Sequence, residues 1–194
     1  LTRFLKIFEH LPILEEIEFD TLSCDDIPSH SEIISKTLSK LKKICVNNFC
    51  TNAAAEDWDS FLSVMVNNKN LHTLQIKSLL PLTPSGARML ANSNIHTLYL
   101  VPHTIGTDYK ILTENYKILL RSKTLQNLTF SSSNANFPNK NLPELQEEIE
   151  KCEIKSLRFR GYRFFIESCD FLSYSSNVVG EKKISLELSD SFER

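Results

Sequence analysis

Glycine is scarce in this chain: 194 residues hold only Gly86, Gly106, Gly161 and Gly180. No GxGxxG or GKS/GKT arrangement can be built from them, which argues against the glycine-rich phosphate turns of doubly wound nucleotide-binding sheets. Long apolar runs are missing too; nothing approaches the roughly eighteen residues of a membrane span. No secretory leader is visible. The chain opens at Leu1 without methionine and inside a helical pattern, so it is expected to be an excerpt of something longer. Neither sign of charge dominates, because 22 Lys and Arg face 24 Asp and Glu for a formal charge of −2. Such a balance supplies no bulk attraction to nucleic acid or to an acidic membrane surface. The five cysteines, Cys24, Cys45, Cys50, Cys152 and Cys169, are odd in number and contain no CxxC pair. None is set with histidines at zinc spacing, so free thiols in a reducing cytosol are expected. Cys152 and Cys169 sit in helical patterns and read as small core residues.

What is present is a repeat. An aliphatic residue, two variable ones, an aliphatic, one variable and an apolar residue recur as LEEIEF from Leu14, LKKICV from Leu41 and LHTLQI from Leu71. They return as IHTLYL from Ile95, LQNLTF from Leu125 and IKSLRF from Ile154, with a degenerate KISLEL from Lys183. The starts advance by 27, 30, 24, 30, 29 and 29 residues, a mean of roughly 28 and so close to the period of leucine-rich repeats. In each copy the first, fourth and sixth places are apolar and the others mostly polar, the pattern of a strand buried on one face. Strands covered on both faces would be continuously apolar, which disfavours a doubly wound sheet.

Between the copies the apolar spacing turns helical. Residues 31–40 place Ile33, Ile34 and Leu38 on one face; 56–67 do so with Trp58, Phe61, Leu62, Met65 and Val66. Residues 83–93 offer Ala87, Leu90 and Ala91, and 107–122 offer Tyr109, Leu112, Tyr116, Leu119 and Leu120. Residues 141–152 carry Leu145, Ile149 and Cys152 behind Pro143, and a last helix is expected at 164–174. Residues 127–141, rich in Ser and Asn, read as a polar surface loop. The expected fold class is α/β: a right-handed leucine-rich-repeat solenoid with a parallel β-sheet on the concave face and helices on the convex face. One domain of six to seven repeats would span residues 1–194, with 1–11 as a capping helix that lays Phe4, Leu5 and Phe8 over the first core layer.

The segment LTPSGARMLANSNIHTLYL, residues 82–100, resembles the helix-to-strand half of ribonuclease-inhibitor-type leucine-rich repeats. Residues 105–130 echo it. The wording GARMLANSNIHTLYL is also similar to repeats in leucine-rich effectors of intracellular bacteria such as Legionella. That resemblance implies a protein partner and residence in host cytosol after secretion. The family also implies a ladder of buried Asn or Cys after the strands. Here the corresponding places hold Asn48, Ser78, Pro102 and Ser132, and one place on stand Phe49, Leu79, His103 and Ser133. No such series forms.

The outward strand places compose the expected binding face: Glu15, Glu16 and Glu18; Lys42, Lys43 and Cys45; His72, Thr73 and Gln75. They continue as His96, Thr97 and Tyr99; Gln126, Asn127 and Thr129; Lys155, Ser156 and Arg158; and Ser185 with Glu187. The row runs from acidic to neutral to basic, a gradient that can orient a partner. Tyr99, near His72, His96 and Arg158, is the expected hot spot, since Tyr and Arg are enriched at such points. His72 and His96 share a place in adjacent strands and with Cys45 would make three zinc donors, but ladder repetition of a polar residue is commoner, and no metal or cofactor is expected. His10, His30 and His103 lie near no nucleophile–base arrangement, and Glu15–Glu16, Asp25–Asp26 and Glu147–Glu148 read as solvated surface. In the run of Arg158, Arg160 and Arg163 with Tyr162, Phe164 and Phe165, the bland assignment puts Phe159 and Phe164 inward and the arginines outward. The expectation is therefore a monomeric, non-enzymatic protein-interaction module with no nucleic-acid or membrane role. The alternative is a sensor or substrate-receptor fragment of an immune receptor or F-box protein.

Overall fold

A computed structural model describes residues 11, 13–22, 36, 38–49, 55–102, 109–131, 142–162 and 183–188. The strands are β1 (Glu16–Leu22), β2 (Lys43–Phe49), β3 (Thr73–Leu80), β4 (Thr97–Pro102), β5 (Asn127–Ser131), β6 (Ser156–Tyr162) and β7 (Lys183–Leu188). Among the described residues the helices are α1 (Ala55–Val66), α2 (Pro84–Ala91), α3 (Tyr109–Leu120) and α4 (Leu142–Lys151). The strands form one sheet in chain order, β1 to β7, and every neighbouring pair is parallel. The protein is thus an α/β chain in which a parallel sheet alternates with helices. Residues 127–131, read both as the end of the strand copy LQNLTF and as the start of a polar loop, are strand β5; the ladder to β4 and β6 prevails over their polar composition. The expected helix at 164–174, the capping segment 1–10 and most of 31–40 lie outside the described residues.

Register follows the repeat through β6; at β7 Lys183 pairs with Ser156, the third place of its copy, so the last repeat aligns two residues earlier than KISLEL from Lys183 suggests. Ile44, Leu74, Leu98, Leu128 and Leu157 align across the sheet, as do Val46, Ile76, Leu100, Phe130 and Phe159. All are buried, and they join one apolar cluster with Trp58, Phe61, Leu62, Met65, Ala87, Leu90, Leu112, Tyr116, Leu119, Leu145 and Ile149 from the helices. Those are the helical positions that the three- and four-residue spacing selects. Cys152, buried in the same cluster, donates from Sγ to the Ile149 carbonyl at 3.1 Å.

Helix α2 shows how closely adjacent helices approach. Thr83 caps it, its Oγ1 accepting from Gly86 N at 2.8 Å while donating to Asp59 Oδ1 of α1 at 2.7 Å. Pro84 follows in the first turn, where a missing N–H costs nothing. A Cβ on Gly86 would stand 2.9 Å from Leu62 Cδ1 and 3.0 Å from Asp59 Oδ1. Gly86→Val should therefore destabilise by about 2 kcal/mol through overpacking, measured by urea unfolding; an unchanged midpoint would show that α1 yields freely.

A ladder of buried polar side chains does exist, but before the strands rather than after them. Asn68 Nδ2 donates to the Leu38 carbonyl at 2.5 Å and the Leu41 carbonyl at 3.1 Å, and Asn68 Oδ1 accepts from Asn70 N at 2.9 Å. Ser93 Oγ donates to Leu90 O and accepts from Ile95 N. Ser122 Oγ donates to Ala91 O of the preceding turn and accepts from Leu125 N. Asn70 Nδ2 reaches the Ser39 carbonyl at 2.7 Å and Asn94 Nδ2 the Lys69 carbonyl at 3.5 Å. These groups satisfy the carbonyls that helix ends leave without partners. The family-like place after β2 contributes one bond, from Asn48 Nδ2 to the Asp20 carbonyl at 3.0 Å.

On the helices' solvent side, ion pairs tie α3 and its following turn to α4 and beyond. Lys117 meets Glu144 at 2.5 Å, Lys123 meets Glu153 at 2.5 Å, and Arg121 grips both oxygens of Glu148. The Arg121 guanidinium holds the Glu148 carboxyl below the usual carboxylate range, against the opposing effect of partial burial. A lowered carboxyl adds stability above its unfolded-state pKa and loses it as pH falls through the folded value. Glu148→Gln should therefore cost about 0.5 kcal/mol near neutrality, and the difference from the parent should vanish as pH falls through the lowered pKa of the folded-state carboxyl. A gap in urea midpoint that persists in acid would contradict the pairing.

Candidate functional site

The face of the sheet opposite the apolar cluster carries the other strand places. In one row Glu16, Lys43, Thr73, Thr97, Asn127, Ser156 and Lys183 are in register; in the next stand Glu18, Cys45, Gln75, Tyr99, Thr129, Arg158 and Ser185. A leading row is knitted by the backbone. The carbonyls of Glu15, Lys42, His72, His96 and Gln126 each accept from the first two amides of the following strand segment, ending at Lys155 and Ser156. Neighbouring parallel strands lie about 4.8 Å apart, so the three rows make a continuous surface. Thr73, Gln75, Thr97, Tyr99, Thr129, Ser156 and Arg158 are half-buried on it, while Glu15, Glu18, His72, Asn127 and Lys155 are exposed.

Charge on this face is partly cancelled within the chain. Lys42 pairs with Glu15 at 2.5 Å, Lys43 with Glu16 at 2.8 Å, and Lys77 with Glu18 at 3.6 Å. The Glu18 carboxyl is held below its ordinary value, first by the Asn47 amide and then by Lys77; Lys43 is held above its own by Glu16. The acidic end of the expected gradient therefore meets the lysines of β2 and β3 before it meets anything else.

His72 and His96 do come together: their rings stack with centroids 5.0 Å apart and planes 15° from parallel. Cys45, the third suggested donor, faces elsewhere, its Sγ 3.9 Å from Glu18 Oε1 and 3.5 Å from Asn47 Oδ1. Although in an outward place it is only 4% exposed, and Lys77 is held above its ordinary value first by contact with this sulfur. Among the described residues no group of three or more His, Cys, Asp and Glu is placed to hold a metal ion. Tyr99 is flanked in its own row by Gln75 and Thr129, with Arg158 one strand further on, rather than directly by the histidines. Asn127 Nδ2 donates to Thr97 Oγ1 at 3.1 Å across the strands.

Asn47, Lys77 and Asp20 were absent from the expected face because the six-residue pattern ends one place too soon. The alternation continues past it: Asn47 Nδ2 donates to Glu18 at 2.8 Å and to Asp20 at 3.2 Å. Away from this face, shallow grooves of 300–400 Å³ lie where successive helices end, one lined by Val66, Arg88, Met89 and Asn92, another by Arg121, Glu148 and Lys151. No helix among the described residues is long and apolar enough to cross a membrane. No protein-family model and no curated protein matches the chain.

Proposed function

We propose that the chain is a leucine-rich-repeat solenoid of ribonuclease-inhibitor-like type that binds a protein through the concave, outward face of its sheet. The observation that carries this reading is the sheet order. Strands hydrogen-bonded strictly in chain order, apolar on the helix side and polar on the other, present equivalent outward places side by side. A surface of that kind is broad, rigid and built without an enclosing pocket, which suits a macromolecule better than a small substrate. Tyr99, half-buried with only two side-chain torsions to lose, supplies contact area at low entropic cost.

The test is site-specific photo-crosslinking. A photoreactive residue replaces Thr129 on the sheet face in one version of the chain and Met89 in the helix-side groove in another. The effector resemblance makes eukaryotic lysate the first source of partners. Crosslinking of one protein from Thr129 but not from Met89, abolished by Tyr99→Ala with Arg158→Glu, is the expected result. Crosslinking from Met89 alone would move the site to the helices and defeat the proposal.

A further inference from the structure

We infer that the β4–β6 half of the outward face takes an acidic polypeptide segment. The inference rests on the outward face being the binding face, and it adds the chemistry of what binds there. Across β1–β3 the cations are already engaged, since Lys43 and Lys77 each pair with a glutamate of β1 and Lys42 with Glu15 just before it. Across β4–β6 the outward places hold Thr97, Tyr99, Asn127, Thr129, Ser156 and Arg158, with no carboxylate among them. Neither Lys155 nor Arg158 has an ion-pair partner among the described residues. A guanidinium on a half-sheltered polar surface with no acid paired to it among the described residues is matched by a carboxylate, which it can bind through two parallel hydrogen bonds. Tyr99, two strands away in the same row, offers a ring for the adjoining side chain of the ligand.

Polypeptide is favoured over nucleic acid by the rest of the face. Binding a polyanion depends on neutralising many phosphates. Here Lys155 and Arg158 are the cations without an ion pair that the described residues of β4–β6 and their leading row offer. They stand on a face whose acidic end carries Glu15, Glu16, Glu18 and Asp20, in a chain of formal charge −2. An acidic peptide laid over β4–β6 avoids that end. A long polyanion would cross it.

The experiment titrates the ¹⁵N-labelled full chain with three synthetic extended peptides of equal length, identical except that their charged places are Glu, Gln or Lys, and with an oligouridine. Expected are shifts of the Tyr99, Thr129 and Arg158 amides with the Glu peptide alone, and at least roughly ten-fold weaker binding, about 1.4 kcal/mol, in a Lys155→Glu, Arg158→Glu chain. Arg158→Gln, which removes one charge rather than reversing it, should give an intermediate loss, while Lys151→Ala on the helix side should leave binding unchanged. Stronger binding of the Gln or Lys peptide to the same amides would overturn the acidic assignment and leave the outward face as the binding face. Shifts confined to the helices would overturn both. Tighter binding of the oligouridine would overturn the polypeptide class, and no shift with any peptide would overturn the inference while a partner crosslinked from Thr129 kept the binding face.

Discussion

Phe130→Ala is expected to lower unfolding stability by about 4 kcal/mol, the largest single loss among the substitutions considered. The side chain is 0% exposed. Its ring lies 4.1 Å from that of Tyr116 on α3, tilted by 33°, and 5.5 Å from that of Phe159 on β6. Truncation therefore empties the junction of a helix with two strands, and three large rings cannot all shift to refill it. Phe130→Leu, which keeps most of the volume, should cost less than half as much. Urea unfolding measures both. Hydrogen exchange adds a spatial test: each strand pairs only with its neighbours in sequence, so the lost protection should centre on β5 and β6 and fade toward β2. A loss below about 1 kcal/mol would mean that this site collapses without a cavity.

Asn68→Ala is expected to cost about 3 kcal/mol, although no charge and little volume are removed. Asn68 is 7% exposed. Its amide serves the carbonyls of Leu38 and Leu41 and the amide of Asn70 at once. Alanine leaves the buried Leu38 and Leu41 carbonyls with reduced bonding, and the penalty of an unmet buried group exceeds the worth of a made bond. Asn68→Asp should be no better, because an ionised carboxylate has no N–H to give to two carbonyls. The measurement is again urea unfolding, with the amide exchange of Asn70 as local readout. A near-neutral alanine variant in which Asn70 stays protected would show that water replaces the side chain at no cost, and the ladder would lose its structural importance.

Both effects follow from residues that local pattern treats very differently. Phe130 stands at the last place of LQNLTF, so its inward direction is legible from alternation alone. Asn68 sits in the polar run NNKN between a helix and a strand, where composition says only that the chain turns. The same contrast divides the outward face. That Lys43, Gln75, Tyr99, Asn127, Thr129 and Arg158 share one face is a consequence of strand parity, whereas Glu15, His72, His96 and Lys155 precede their strands and join it through the segments that lead in. That Glu15 and Glu16 are neutralised by Lys42 and Lys43, so that the exposed gradient is reduced to its basic end, is not.

Alternation of apolar residues and the spacing of the intervening helices were enough to locate all seven strands, the four described helices and the inward places of β2 to β6, whereas for β7 they set Lys183 in an inward place that the register aligns with outward Ser156. These are properties of a few consecutive residues, governed by the two-residue period of a strand and the 3.6-residue period of a helix. The tertiary structure decided what meets across 24–33 residues: Asp59 with Thr83, Asn115 with the Leu82 carbonyl, Asn68 with Leu38, the stacked histidines, and Cys45 with Glu18. Repeat lengths differ from step to step while the opening places of the strands remain in register, with shifts only further along β3–β4 and β6–β7, so most of the slack is taken up in helices and turns whose path the pattern does not specify. Contacts made there depend on angstrom-scale stacking of one turn on the next, and only the folded chain sets that distance.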